Sequence, residues 1–106
     1  MYLNDEYVTV KNTGDRLIDM TGWSLSNKLN DAFTFPDGFD LPGGATVTVY
    51  TGCGVNTTTE LYWCSPHPVW ANNSDRAVLK TASGTIIDQY AYYTYAPRCK
   101  TCGDPP

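Results

Sequence analysis

The segment Asp19–Gly54 constrains the fold most, because short strand-like runs alternate in it with turn-forming residues. It contains Trp23–Ser26, Phe33–Phe35 and Ala45–Thr51, and the turns between these runs are rich in Pro, Gly, Asn and Asp. Alternation of apolar and polar residues is the period of a half-buried strand. Turn signals at such short intervals are typical of an antiparallel sandwich. The sequence therefore predicts an all-β fold.

The same alternation predicts strands on both sides of this segment. In Glu6–Lys11, Tyr, Thr and Lys alternate with valines, and Arg76–Lys80 and Thr85–Tyr90 form a hairpin around a Thr-Ala-Ser-Gly turn. No long stretch has the periodicity of a helix. The predicted core consists of apolar residues in these runs: Val8, Val10, Leu17, Ile18, Trp23, Leu25, Phe33, Phe35, Val47, Val49, Trp63, Trp70, Val78, Leu79 and Ile87.

An ordered set of short motifs runs through residues 5–93. The motifs are, in chain order, Tyr7–Asn12, Gly22–Ser26, Phe35–Phe39, Leu41–Val49, Leu61–Trp63, Trp70–Leu79 and Gly84–Asp88. Each of them alone is common, but their order resembles that of the lamin tail domain, an immunoglobulin-like module. The cysteines are not part of the general pattern of that family.

The resemblance implies an immunoglobulin-like antiparallel β-sandwich over residues 1–95, followed by a tail or linker at 96–106 that carries a Cys-x-x-Cys pair. It also implies a non-catalytic interaction module, because prokaryotic domains of this kind are appended to secreted nucleases, other hydrolases or cell-surface proteins. We therefore expect a multidomain parent chain and a protein or cell-surface polymer as the partner. A purely structural spacer, stabilised by a disulfide or by structural zinc, is the alternative.

The charge of the chain argues against nucleic-acid binding. The chain has seven Lys and Arg residues and eleven Asp and Glu residues, which gives a formal net charge of -4. The basic residues are scattered along the sequence. Binding to phosphates needs a concentrated basic face. Weak nucleic-acid binding in aid of an attached nuclease is therefore a minor alternative. No apolar run approaches the ~20 residues of a membrane span, so no membrane insertion is expected.

The four cysteines can be interpreted either as disulfide-forming residues or as metal ligands. Cys53 follows one predicted strand and Cys64 follows the next, and pairing of these strands would bring the two residues within disulfide range. A disulfide in a small chain favours an oxidising location, here extracellular or at the cell surface. The cysteine pair Cys99 and Cys102 could form a bridge of its own or pair with another molecule.

The alternative is a structural zinc site. Cys99 and Cys102 are followed by a glycine, as in a metal knuckle, and Cys64 and His67 supply a second pair. Together they would form a closed Cys3His set, which suits zinc. The second pair lacks a knuckle glycine and prolines flank its histidine, so the disulfide is the preferred interpretation and no cofactor is expected.

Catalytic motifs are absent from the sequence. Cys64 and His67 lie close together, but nucleophilic catalysis would need a third group to orient the ring, and no Asn or Asp is placed to do so. P-loop, Gly-x-Ser-x-Gly and His-Glu-x-x-His motifs do not occur. The sequence therefore predicts no enzyme.

A run of tyrosines near the end of the predicted domain offers a binding surface. Tyr90 and Tyr92 point to one side of the last strand, and Tyr93 and Tyr95 point to the other. An exposed aromatic strip can bind sugar or protein. It can equally pack against a neighbouring domain of the parent chain.

Overall fold

A computed structural model describes residues 6–70 and 75–92 of the chain. All regular structure in these ranges is β, and no helix in them is long and apolar enough to cross a membrane. The strands are β1 (Tyr7–Lys11), β2 (Ile18–Asp19), β3 (Ser24–Ser26), β4 (Ala32–Thr34), β5 (Asp40–Leu41), β6 (Thr46–Tyr50), β7 (Glu60–Tyr62), β8 (Asp75–Lys80) and β9 (Ile86–Tyr92).

The strands form two main sheets and one small ribbon. One sheet has the order β1-β6-β7, the other has the order β4-β3-β8-β9, and β2 pairs with β5. All pairs are antiparallel except β6 with β7, which is parallel. This architecture confirms the predicted all-β, immunoglobulin-like sandwich.

The core lies between the inner faces of the two main sheets. Val8 pairs with Val49 in the first sheet, and Leu25 pairs with Leu79 in the second. Loop residues complete the core. The buried apolar side chains are Val8, Val10, Met20, Leu25, Phe33, Phe35, Phe39, Leu41, Val47, Val49, Leu61, Val69, Trp70, Ala77 and Leu79. The predicted core residues Ile18, Trp23 and Trp63 are partly buried and pack against this cluster.

For three residues the predicted position in the core was wrong. Leu17 is 57% exposed, because it precedes the two-residue strand β2 in which the next residue, Ile18, packs on the core. Ile87 is 51% exposed and lies at an irregularity, since Leu79 pairs with Asp88 but Lys80 pairs with Ile86. Val78 is only half-buried, because its neighbours in the alternating strand β8 are the ones that face inward.

Two buried asparagines fix the turns of the sandwich. The Asn27 side-chain oxygen accepts hydrogen bonds from the backbone N–H groups of Leu29 and Asp31, and its Nδ2 donates to the Val69 carbonyl at 2.9 Å. Asn12 Nδ2 donates to the carbonyl of Leu41 at 2.9 Å. Each side chain therefore satisfies a backbone carbonyl that is distant in sequence.

A buried carboxylate ties the start of β1 to the loop before β8. Glu6 is 1% exposed, and its Oε1 accepts hydrogen bonds from the backbone N–H groups of Val69 at 3.0 Å and Trp70 at 3.4 Å. Its Oε2 is also buried and has no hydrogen-bond partner in the part of the chain that the structure describes. One oxygen of Glu6 thus anchors this loop through its N–H groups, while Asn27 binds the Val69 carbonyl.

Candidate interaction surface

The outer face of the sheet β1-β6-β7 carries three tyrosines side by side. Pairing places Tyr7 opposite Tyr50 and Tyr50 opposite Tyr62. The residues next to them, among them Val49 and Leu61, are buried in the core. Because successive side chains in a strand point to opposite faces, the three tyrosines point outward. We call Tyr7, Tyr50 and Tyr62 the tyrosine row.

The rings of the tyrosine row contact one another. Tyr50 and Tyr62 are stacked, with ring centroids 5.2 Å apart and an interplanar angle of 18°, and Tyr7 lies 6.0 Å from Tyr50 at 54°. A Cβ atom at Gly54 would lie 2.6 Å from the Tyr62 ring, so the backbone at Gly54 rests against this ring and a larger residue there would have to displace it. Tyr50 and Tyr62 therefore each cover one face of the other, and all three side chains are half-buried.

A row of hydroxyl and carboxylate groups lies beside the tyrosine row. Thr9 pairs with Thr48, whose hydroxyl oxygens are 3.2 Å apart, and Thr48 pairs with Glu60. The Tyr50 hydroxyl donates a long hydrogen bond of 3.5 Å to Glu60 Oε2. Lys11 lies on the same face, beyond Thr9. The surface thus combines phenol edges, hydroxyls and one carboxylate on a hydrogen-bonded sheet.

The environment of Tyr50 should be visible in an alkaline titration. Partial burial, and then the charge of the nearby Glu60, raise the pKa of Tyr50 above its ordinary value of 10.0. The stabilisation linked to this raised pKa is fully present below pH ~10 and is lost as the pH rises through the folded-state value. We expect phenolate absorbance to show a late-ionising tyrosine that disappears in Tyr50→Phe. Loss of an ordinary, early-ionising tyrosine in that variant would contradict this.

A disulfide lies at the end of the parallel pair β6–β7. Cys53 and Cys64 are bonded to each other. Beyond β7 the two segments stay hydrogen-bonded, because Cys64 N–H donates to the Gly52 carbonyl at 3.0 Å and Ser65 N–H donates to the Thr51 carbonyl at 2.9 Å. The two cysteines therefore meet where the sequence analysis places them, and their bond closes the loop that rests on the tyrosine row.

Breaking this disulfide is expected to destabilise the domain. Replacing both Cys53 and Cys64 by serine removes a cross-link between residues 11 apart and should lower the free energy of unfolding by roughly 2–3 kcal/mol. Urea unfolding of the variant and of the reduced wild type measures this. The two should agree, and a difference of less than about 0.5 kcal/mol from the oxidised wild type would contradict the expected stabilisation.

The predicted zinc set is not assembled by the described residues. The Cys64 sulfur is bonded to Cys53 and is not a thiolate, and Cys99 and Cys102 lie outside the described residues. His67 is exposed, with Nδ1 3.1 Å from the Pro68 carbonyl oxygen. Residues 6–70 and 75–92 contain no group of three or more His, Cys, Asp or Glu that could hold a metal ion.

The predicted tyrosine strip at the end of the domain is only partly described. Tyr90 pairs with the buried Ala77 and packs against the core, so it faces inward. Tyr92 ends β9, while Tyr93 and Tyr95 lie outside the described residues, so a binding role for this strip stays a prediction.

Sequence analysis missed the tyrosine row because its members are in three separate strands. The alternating patterns of β1 and β6 already place Tyr7 and Tyr50 on polar faces. These patterns do not show that β1, β6 and β7 are neighbours in one sheet, because strand pairing depends on the packing of the whole sandwich. The sequence signal that could have indicated the row is the presence of an outward-facing tyrosine in each of three strands.

The domain also contains a groove. This groove has a volume of about 500 Å³, and its apolar lining includes Ile18, Met20, Trp23, Leu41 and Ile87. Lys11 and Asp88 also line it, so the groove is mainly but not wholly apolar.

One comparison with known proteins bears on the chain as a whole. Residues 2–94 match the family model described as Lamin Tail Domain. The match includes both main sheets, the disulfide and the tyrosine row.

Proposed function

The chain belongs to the lamin tail domain family, and we propose that it is a non-catalytic interaction module of a larger secreted or cell-surface protein. The tyrosine row is the observation that carries the proposal. It places three amphipathic side chains on the outer face of a sheet, where a partner can reach them. Tyrosine is enriched at protein interfaces and among the residues that dominate binding energy. We propose a protein as the partner.

The rigidity of the row supports this role. Tyr50 is held between the rings of Tyr7 and Tyr62, and the disulfide-closed loop lies against Tyr62 at Gly54. Side chains that are already ordered lose less conformational entropy on binding than free ones. Less of the free energy gained from contact with a partner is therefore offset by the entropy cost of ordering these side chains.

The location that we propose follows from the cysteines. The bond between Cys53 and Cys64 is at the surface, where cellular reductants would reach both residues. Exposed disulfides persist in secreted and cell-surface proteins and are rare where thiols are kept reduced. Intact-mass measurement with thiol counting on the natural protein tests this, and a reduced pair in protein from its native compartment would refute the location.

We propose no catalytic role and no cofactor for this domain. The sulfur that would serve as nucleophile or zinc ligand, that of Cys64, is used in the disulfide. Beside Nδ1 of His67 lies the Pro68 carbonyl oxygen, in the position that an orienting carboxylate has in a catalytic triad.

Partner capture with matched variants tests the proposed function. The immobilised chain is incubated with extracellular and surface proteins of the source cells, in parallel with Tyr50→Ala/Tyr62→Ala and the control Thr85→Ala, which lies in the β8–β9 turn. We expect one protein to be retained by the wild type and by the control, and retention to fall at least about tenfold in the double variant. Equal retention by all three chains would refute the proposal.

A further inference from the structure

We propose that the partner presents an arginine side chain to Glu60 at the margin of the tyrosine row. This inference rests on the proposed function, because it names the chemistry by which the same surface would recognise a protein. It follows from the position of the carboxylate, the covered ring faces and the charge of the chain.

Glu60 is a half-buried carboxylate on an otherwise uncharged part of the face. Its strand neighbour is Thr48, and its Oε2 accepts one long hydrogen bond of 3.5 Å from the Tyr50 hydroxyl. A carboxylate has about four acceptor positions, so most of its capacity is open in the described part of the chain. Lys11 lies beyond Thr9, on the side away from Tyr7. A cationic group on the partner would complete the hydrogen bonding of Glu60.

The stacking of Tyr50 on Tyr62 favours a hydrogen-bonding protein group over a stacked sugar. Stacking of a sugar or a lone cation uses the face of an aromatic ring. In this row the faces of Tyr50 and Tyr62 lie against each other, at a centroid distance of 5.2 Å. A partner therefore finds these two faces occupied, while the phenol oxygens of the row can accept hydrogen bonds.

Arginine fits these acceptors better than lysine. Its planar guanidinium has five N–H donors in a fixed fork and binds a carboxylate through two parallel hydrogen bonds, whereas lysine is a compact point charge. One guanidinium can donate to Glu60 and to the adjacent Tyr50 hydroxyl, whose oxygens are 3.5 Å apart. The formal net charge of -4 adds a general attraction for a basic partner.

NMR titration with defined peptides tests the inference. The probes are acetyl-Gly-Arg-Gly-amide and its citrulline counterpart, which keeps the shape of arginine but not its charge. We expect the arginine peptide to shift amide signals of β6 and β7 in a saturable way and to bind about two- to fivefold more tightly than the citrulline peptide. Equal shifts by both peptides, or shifts spread over all exposed carboxylates, would overturn the inference.

Two variants identify the residue responsible. Glu60→Gln should abolish the saturable shifts, whereas Asp37→Asn, which removes an exposed carboxylate in the β4–β5 turn, should leave them unchanged. Unchanged binding by Glu60→Gln would overturn the inference. If partner capture depends on Tyr50 and Tyr62 but not on Glu60, the proposed function stands and the arginine assignment falls. If partner capture depends neither on Tyr50 and Tyr62 nor on Glu60, the proposed function itself is refuted.

Discussion

Replacing Phe35 by alanine is expected to lower the free energy of unfolding by about 3–5 kcal/mol. The side chain is 1% exposed and lies between other aromatic rings, with centroids 5.3 Å from Phe33 and 5.9 Å from Phe39. Removing the ring loses its burial and leaves a cavity that rigid strand neighbours fill poorly. Urea unfolding followed by tryptophan fluorescence measures the change, because Trp63 and Trp70 pack in the same core cluster.

Leu17→Ala is the matched control for this prediction. Both residues were expected in the core from sequence, but Leu17 is 57% exposed. Its replacement should change the free energy of unfolding by no more than about 0.5 kcal/mol. Similar losses for Phe35→Ala and Leu17→Ala would mean that the residue before β2 packs inward.

Replacing Glu6 by alanine is expected to cost about 3 kcal/mol, since it leaves two buried N–H donors without an acceptor. These donors belong to Val69 and Trp70, at 3.0 and 3.4 Å from Oε1. Part of the loss is offset because the buried Oε2, which has no partner among the described residues, disappears too. Denaturant unfolding gives the total, and hydrogen exchange at Val69 shows whether the loop has opened.

Glu6→Gln separates the hydrogen bonds of Glu6 from its charge. The amide oxygen can still accept from both N–H groups, so we expect a loss of about 1–2 kcal/mol, smaller than that of alanine. Hydrogen exchange at Val69 should remain slow. If glutamine and alanine destabilise the domain equally, the charge rather than the acceptor anchors the loop, and the assignment of Oε1 as the anchoring atom is wrong.

The alternation of side chains was predictable, but the pairing of the strands was not. The pattern of β1 and β6 depends only on local periodicity, so Val8, Val10, Val47 and Val49 were assigned correctly to the core. Which strands become neighbours depends on the packing of the entire chain. The parallel pair β6–β7, and with it the tyrosine row, therefore could not be read from any single segment.

The buried polar side chains that hold the loops also depend on contacts that are distant in sequence and could not be predicted locally. An Asn or Glu in a sequence predicts a turn or a solvated position, which is where these residues usually lie. Asn27 instead binds the Val69 carbonyl, 42 residues away, and Glu6 binds the Val69 amide, 63 residues away. The disulfide was easier to anticipate, because Cys53 and Cys64 follow runs that are close in the chain.

The order of the strands has a consequence for synthesis on the ribosome. β1 pairs with β6, and β3 in the second sheet pairs with β8, so neither main sheet can be completed until residues far along the chain have emerged. Folds dominated by such distant pairs form in milliseconds to seconds rather than microseconds. The nascent chain thus exposes valine-rich strands through most of its translation. Successful biogenesis therefore depends on keeping early strands away from those of other chains until the last hairpin is made.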